Sequence, residues 1–264
     1  MQPLDIVDIT LLALIEGVAE VLPVDSAGHG LLLSWLVHWR AGSIGVAIHL
    51  GAALGLLAFL WRDVAAIGQG LWRLRRGRVE PGSRLFGKII LTAAPWIAAT
   101  LLLDPRPPGL EDMALIGALT IACALLMGLA DRLCMTVKRI DHMSPLGALI
   151  LGLSQLLALA PGVGRAAAAL TTSRILGFER PAAFRFVLLA SVPVLLAATI
   201  RDGLGYLVQG VLPAGTDLAA GLASFLLVVA AAALSTAWTS RHGLLPFVLY
   251  RLVIGAVLVG LSFL

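Results

Sequence analysis

The sequence predicts an all-α integral membrane protein with six transmembrane helices and two re-entrant helix pairs arranged as an inverted-topology repeat. Its 264 residues are 59% hydrophobic and 13% charged, with a mean hydropathy of +0.98, whereas soluble domains carry about 25% charged residues. Apolar runs recur along the chain, and two further apolar regions are interrupted by proline and polar residues. The net charge of +4 lies mostly in short basic runs between apolar segments, which indicates membrane topology and not nucleic-acid binding.

Six apolar segments approach or reach the length, about 17–25 residues, that crosses the hydrocarbon core of a bilayer. They are 44–61, 88–103, 113–130, 184–200, 218–238 and 245–263. Two other regions, 6–37 and 145–180, are apolar but contain interruptions, so neither is predicted to be a single span.

The charges between these segments set the predicted orientation. Segment 62–88 has seven basic residues against two acidic ones, and the shorter segments 131–142 and 239–244 are also basic. Segments 104–112 and 201–217 carry more acidic than basic residues. Because basic loops remain in the cytoplasm, the first three are predicted to be cytoplasmic and the last two to lie outside.

This orientation leaves both ends of 145–180 on the cytoplasmic side, so that region is predicted to be a re-entrant pair of half-helices broken at Pro161–Arg165. By analogy, 6–37 is predicted to enter from outside and to be broken at Pro23–Gly28. Irregular backbone at membrane depth is tolerated where protein or a water-filled cavity covers it.

A weak internal repeat supports this arrangement. Pro23 is followed by a span that ends W-R-D at 61–63, and Pro161 is followed, at nearly the same spacing, by a span that ends I-R-D at 200–202. Broken segments that enter from opposite sides are typical of inverted repeats, in which the binding site lies where the two breaks meet.

The chain is predicted to be one membrane domain, 1–264, with repeats of about 1–130 and 143–264. The amino terminus lacks a basic stretch, so no cleaved leader is expected. Cys123 and Cys134 lack metal-ligand spacing and are interpreted as packing residues.

The first break contains most of the chemistry. Residues 15–30 read I-E-G-V-A-E-V-L-P-V-D-S-A-G-H-G. Glu16 and Glu20 are four residues apart and share one face of a helix, where each acidic group costs about 2.5–3.5 kcal/mol at membrane depth. A metal, a cation or a substrate is expected to offset that cost. The alternative is an amphipathic surface helix with a capping turn. The polar residues of the turn that follows are Asp25, Ser26 and His29.

The second break, P-G-V-G-R at 161–165, carries one charge. Gly162 and Gly164 allow the backbone to turn sharply near a ligand. The amides that begin the next half-helix, with the guanidinium of Arg165, form an anion site suited to phosphate. The alternative is that Arg165 neutralises one of the two buried glutamates.

Together the two breaks predict phosphate chemistry on a lipid. The carboxylates of Glu16 and Glu20 suit a divalent metal, which protein carboxylates and substrate phosphates hold jointly. Arg165 would neutralise phosphate charge in the transition state. Ser26 or His29 could act as nucleophile, and His29 alternatively as acid or base. The apolar surroundings predict a lipid phosphate or diphosphate as substrate.

At these residues the chain resembles the undecaprenyl-diphosphate phosphatases, the bacitracin-resistance family. The segment E-G-V-A-E-V-L-P-V-D-S-A-G-H is similar to the family's first signature, and P-G-V-G-R falls at its second. The resemblance covers essentially the whole chain. It implies six spans, two re-entrant pairs, location in the bacterial inner membrane and a site open to the periplasm. It also implies Mg²⁺- or Ca²⁺-dependent removal of the terminal phosphate from a C55 polyprenyl diphosphate, which recycles the carrier lipid of peptidoglycan synthesis.

Carried over by position, Glu16, Glu20, Ser26, His29 and Arg165 match the family's site residues, with both glutamates as metal ligands. Five residues depart from the pattern. Asp25 stands where the family usually has serine and His49 where it usually has glutamine, and both are counted with Gly162 and Gly164 as candidate substrate-binding residues. His49 could equally be a satisfied core histidine. The second signature lacks its hydroxyl residues, which are replaced by Gly164, Ala166 and Ala169.

Two other functions are compatible with this architecture. A lipid-phosphate transporter would share the broken helices, although it has less use for two carboxylates. An ion channel or proton-coupled carrier would be opposed by the charge of Arg165. The small-residue runs at 166–169 and 230–233 could pack within one chain or between copies, so a homodimer is left open.

Overall fold

The computed structural model of the protein describes residues 6–26, 28–30, 32, 44–102, 112–134, 136–210 and 212–263. All regular elements in these ranges are helices. They are α1 (Ile6–Leu12), a π-helical segment (Ala13–Val18), α2 (Ala19–Val21), α3 (Ile44–Phe59), α4 (Trp61–Leu74), α5 (Pro81–Leu102), α6 (Met113–Leu133), α7 (Pro145–Gln155), α8 (Arg165–Ile175), α9 (Arg180–Val208), α10 (Gly215–Thr239) and α11 (Leu245–Leu261). Short 3₁₀ turns are formed by Ile140–His142 and Leu156–Leu159.

Four of the described helices, α5, α6, α9 and α10, are long and apolar enough to cross a membrane. Helices α3 and α4 meet that test only as a pair, and they are bent by 82° where they join. The predicted span at 245–263 is the shorter apolar helix α11. The protein is thus an all-helical, multi-pass membrane protein.

The predicted starts of two spans were wrong, and the basic segment 62–88 contains a helix. Helix α5 begins at Pro81 and not at 88, and α9 begins at Arg180 and not at 184. Proline is favourable in the first helical turn because a backbone N–H at that position would have no intrahelical acceptor, so its absence costs nothing. The basic segment 62–88 contains α4, whose Trp61 and Trp72 are exposed and lie beneath Arg62 and Arg75 in cation–π contacts.

Both predicted breaks are present, but the first is shorter than Pro23–Gly28, because Ser26 and 28–30, predicted to form a turn, are helical. Helix α2 ends at Val21, and Leu22 adopts an extended backbone immediately before Pro23. The second region is helical over α7, tightens into the 3₁₀ turn, and resumes at Arg165. Residues 27, 31 and 33–37 of the first predicted pair, and 104–111 of the predicted outer loop, lie outside the described residues.

Glycines determine which helices approach closely. A Cβ placed on Gly51 of α3 would collide with the carbonyl of Gly221 in α10, and one on Gly117 of α6 would lie 2.7 Å from the carbonyl oxygen of Gly255 in α11. Small residues let helix backbones come together, which is the main source of packing between helices in lipid.

A buried ion cluster gathers helix ends at one face of the bundle. Asp131, near the end of α6, lies 3.0 Å from Nε of Arg174 in α8 and 2.7 Å from Nε of Arg180 in α9. Its second carboxylate oxygen accepts a hydrogen bond from the amide of Leu244, just before α11 (3.0 Å). These segments are the ones predicted to be cytoplasmic from their charge.

Helices α3 and α9 run antiparallel. Asp63, which follows α3 at the start of α4, forms a two-pronged pair with Arg185 near the start of α9, at 2.6 and 2.8 Å. At the opposite end, a Cβ on Gly203 of α9 would contact the side chain of Val46 in α3 at 3.4 Å.

Candidate functional site

The first break positions its acidic residues on a distorted helix. Glu16 lies in the π-helical segment, and Glu20 lies in the short turn α2 that follows. A helix was predicted here, and around Glu16 it is a π-helix, in which each backbone hydrogen bond spans five residues instead of four. Single π-helical turns are frequent at functional sites. Gly17 permits the distortion to pack closely, since a Cβ there would collide with the hydroxyl of Ser224 in α10.

Glu20 and Arg165 join the two breaks. Nε of Arg165 donates to Glu20 Oε1 at 3.0 Å, and Nη2 donates to the backbone carbonyl of Glu20 at 3.2 Å. The guanidinium is buried, whereas the carboxylate keeps 21% of its side-chain surface exposed. The alternative that Arg165 pairs with one of the two glutamates is therefore confirmed for Glu20, although it is the arginine and not the carboxylate that is buried.

Two buried polar residues hold Arg165 in place. Nη1 donates to Gln155 Oε1 at 3.2 Å, and both terminal nitrogens lie 3.3 Å from the hydroxyl of Ser191 in α9. Gln155 is itself anchored, because its Nε2 donates to the carbonyl of Thr92 at 2.9 Å. A guanidinium fixed from several sides has its orientation set before a ligand arrives.

Ser26 belongs to the same hydrogen-bonded chain. Its hydroxyl donates to Glu20 Oε2 at 2.8 Å, so the two oxygens of one carboxylate contact a hydroxyl and a guanidinium. A potential nucleophile within reach of a base that is oriented by a third group is the arrangement of activated hydroxyl nucleophiles.

His29 lies in a separate network. Its Nδ1 contacts the carbonyl of Asp25, and its Nε2 lies 2.6 Å from the hydroxyl of Tyr250 in α11. The two rings are stacked at 5.5 Å and 7°. Because a carbonyl only accepts, the neutral imidazole carries its hydrogen on Nδ1 and accepts the Tyr250 hydroxyl hydrogen at Nε2. The described hydrogen bonds therefore connect Ser26 to Glu20 and His29 to Tyr250.

Asp25 is 5% exposed and bonds to backbone in both breaks. Its Oδ2 accepts from the amide of Gly28 at 2.6 Å and from the amide of Gly162 at 3.0 Å. Two amide donors satisfy a buried carboxylate well, which gives this residue a role in the contact between the breaks.

The second break is tightly fitted. Gly162 and Gly164 have φ values of +95° and +72°, in the left-handed region that favours glycine. A Cβ on Gly164 would lie 2.5 Å from the carbonyl oxygen of Val24 in the first break. The guanidinium of Arg251 donates from Nη2 to the carbonyls of Gly162 and Val163, at 2.8 and 2.9 Å.

His49 lies in α3 near the site. Its Nδ1 is buried without a hydrogen-bond partner among the described residues, and Glu20, Arg165 and Asp202 are near enough to act on its charge. For the alternative of a satisfied core histidine, the described residues supply no partner at Nδ1. Whether it contacts a substrate stays a prediction.

The acidic residues of the site are the candidate metal ligands. Within the described ranges no group of three or more His, Cys, Asp or Glu side chains is placed to hold an ion. Magnesium is usually bound by one or two carboxylates together with substrate phosphates, and the partly exposed Glu20 with Glu16 fits that smaller set. A site of that kind would be completed by the phosphate that binds with the ion.

Sequence reasoning missed four residues that build this region: Gln155, Ser191, Tyr250 and Arg251. Each is polar and lies within an apolar segment, and Arg251 is 1% exposed. Polar residues inside a span are usually functional or paired, so their positions were the available signal. Their partners depend on which helices pack together.

Comparison with known proteins is consistent with this geometry. The chain matches the family model described as bacitracin resistance protein BacA over residues 9–257. It is 40% identical to undecaprenyl-diphosphatase 1 of Rhodospirillum rubrum, covering 98% of this chain and 96% of that protein. It is 34% identical to undecaprenyl-diphosphatase 1 of Paramagnetospirillum magneticum, covering 97% of each chain. It is 35% identical to the undecaprenyl-diphosphatase of Geobacter sulfurreducens, covering 98% and 99%.

Proposed function

This chain belongs to the BacA bacitracin-resistance family, and from that premise we propose that it is an undecaprenyl-diphosphatase. It removes the terminal phosphate of undecaprenyl diphosphate, and so returns undecaprenyl phosphate to peptidoglycan synthesis. The observation that carries the proposal is the chain Ser26–Glu20–Arg165, in which a hydroxyl, a carboxylate and a guanidinium from two breaks are hydrogen-bonded in sequence.

In the proposed reaction, the terminal phosphate binds Arg165 and the free amides at the start of α8, and competes with Glu20 for the guanidinium. Glu20 then accepts the proton of Ser26 as Oγ attacks phosphorus. The bond from phosphorus to the bridging oxygen breaks, and undecaprenyl phosphate leaves with that electron pair. Glu20 passes the serine proton to the departing undecaprenyl phosphate and is again ionised. It then takes a proton from a water that attacks the serine phosphate. The bond from phosphorus to Oγ breaks, the proton returns to Ser26 Oγ, and phosphate is released. Direct attack by a water held by Glu20 is the alternative route.

Glu16 and Glu20 are proposed to hold Mg²⁺ or Ca²⁺ jointly with substrate phosphate oxygens. The ion would supply positive charge to the transition state. His29 is placed beside this chemistry and not on the Ser26 proton path, because Nε2 is occupied by Tyr250. His49 is proposed to face the substrate, since its buried Nδ1 lacks a partner in the described part of the chain.

We further propose the six-span topology with two re-entrant pairs, in the inner membrane, with the site facing the periplasm. The helix directions support it. Helices α3 and α9 are antiparallel, and Arg201 of α9 donates to the carbonyl of Thr100 near the end of α5 (3.2 Å), so α5 and α9 end on one side. The Asp131 cluster gathers the ends predicted to be cytoplasmic.

The direct test is phosphate release from undecaprenyl diphosphate by the purified protein in detergent, with Mg²⁺, Ca²⁺ or chelator. Glu20→Gln and Arg165→Ala are expected to lose about a hundredfold or more in rate, the usual size of a lost acid–base or charge-stabilising group. Arg185→Ala, which breaks a pair away from the site, is the matched control. A folded wild-type protein that binds the lipid and releases no phosphate would favour the transporter alternative, which the names of the relatives do not favour.

A further inference from the structure

Arg251 is a buried arginine that the proposed reaction does not use. Two of its nitrogens, Nε and Nη1, are buried without a hydrogen-bond partner among the described residues. Its third nitrogen, Nη2, binds the consecutive carbonyls of Gly162 and Val163. A charged side chain placed so deeply in an apolar bundle needs a reason, because its burial is costly.

Both backbone groups of Gly162, its amide and its carbonyl, are hydrogen-bonded to charged side chains. Asp25 Oδ2 accepts from the amide of Gly162 at 3.0 Å, while Arg251 takes the carbonyl of the same residue at 2.8 Å. The two side chains carry opposite charges and bind the same residue. Asp25 belongs to the first break and Arg251 to α11. Their hydrogen bonds to Gly162 therefore connect the first break, the second break and α11.

The hydrogen bond from Arg251 to the Val163 carbonyl sets the direction of the next amide, that of Gly164. In a trans peptide the C=O and N–H groups lie on opposite sides. With the carbonyl of Val163 turned to Arg251, the N–H of Gly164 is turned to the opposite side, at the start of α8. The first amides of that helix have no intrahelical acceptor, and they begin beside Arg165.

We propose that Arg251 is a positioning residue that, with Asp25 as its counter-charge, holds the second break so that the amides of Gly164 and the start of α8 form the phosphate site. Asp25 thereby acts through the backbone of the second break. This inference rests on the proposed function for its catalytic consequence, while the backbone geometry can be tested without it.

The variants are chosen to separate positioning from stability. Arg251→Met removes the hydrogen bonds to the Gly162 and Val163 carbonyls and leaves the Asp25 carboxylate without the positive charge of Arg251. The double variant Asp25→Asn with Arg251→Met removes both charges, keeps an acceptor for the Gly162 amide, and is expected to recover folding. Arg174→Met is the matched control, because Arg174 is also buried, also binds backbone carbonyls, and lies in the Asp131 cluster.

Two measurements decide the inference. Hydrogen exchange of the amides of 162–167, by mass spectrometry in detergent, is expected to quicken about tenfold or more in the double variant and to stay unchanged in Arg174→Met. The kcat/KM per folded molecule is expected to fall about a hundredfold in the double variant, as misplaced binding groups do, and to change less than threefold in the control.

Unchanged exchange at 162–167 in the folded double variant would overturn the inference, as would full kcat/KM with faster exchange. If the wild-type protein releases no phosphate, the proposed function fails, and the exchange measurement still decides whether Arg251 sets the shape of the break.

Discussion

The carboxylate of Glu20 lies 3.0 Å from Nε of Arg165, although 145 residues separate the two in the chain. This contact joins the two breaks, as the bond from the Gly162 amide to Asp25 also does. It also explains how an acidic and a basic group survive in an apolar bundle, because each offsets the burial cost of the other. A phosphate that displaces Glu20 from Arg165 would free the carboxylate to act as a base.

Ser26→Ala is expected to reduce phosphate release by at least about a hundredfold if the serine is the nucleophile, because no covalent serine phosphate can then form. Rapid-quench trapping of labelled phosphate on the wild-type protein would detect that intermediate. A Ser26→Ala protein that retains a tenth or more of the activity would instead indicate direct attack by water.

Gly164→Ser is expected to destabilise the protein by at least about 2 kcal/mol, because a Cβ at φ +72° is strained and meets the Val24 carbonyl at 2.5 Å. Restoring this hydroxyl, which the resemblance would suggest, should therefore harm the fold. Thermal unfolding in detergent measures the effect.

The matched control for Gly164→Ser is Gly87→Ala in α5, where a Cβ would meet nothing within 4 Å. Alanine there should be neutral or stabilise by up to about 1 kcal/mol. Equal stability of the two variants would show that the second break tolerates a side chain at 164.

Asp131→Asn is expected to cost about 3 kcal/mol of stability, because it leaves the buried guanidinium of Arg174 without its charge partner. Asp63→Asn is the contrasting variant, since its partner Arg185 is 49% exposed and such pairs contribute about 1 kcal/mol or less. Denaturation in detergent compares them. If Asp131→Asn is as stable as Asp63→Asn, the Asp131 cluster does not contribute to stability as expected.

The proposed orientation can be checked by labelling. In a variant whose Cys123 and Cys134 are replaced by alanine, Ala214→Cys is expected to react with a membrane-impermeant maleimide in cells with a permeabilised outer membrane. Val79→Cys, exposed beside the basic turn, should react only after lysis. The reverse pattern would invert the topology and place the site on the cytoplasmic side.

Much of the candidate site could be predicted from local patterns. The acids of the first break, the glycines of the second and Arg165 stand out because polar residues are rare in this chain. The unexpected π-helical turn at Glu16 is a different case. It depends on close packing of Gly17 against Ser224 in α10, a contact that no local pattern contains.

The sequence by itself determined that this is a helical membrane protein, where its helices break, and which charges lie at the breaks, since composition and proline positions control those features directly. Tertiary structure alone decided the partners: Ser26 with Glu20, His29 with Tyr250, and Arg251 with the Gly162 carbonyl. The physical reason is that apolar helices are nearly interchangeable in sequence. Which of them meet is settled by close backbone approach at glycines such as Gly51 and Gly117, and only then does each buried polar group acquire its partner.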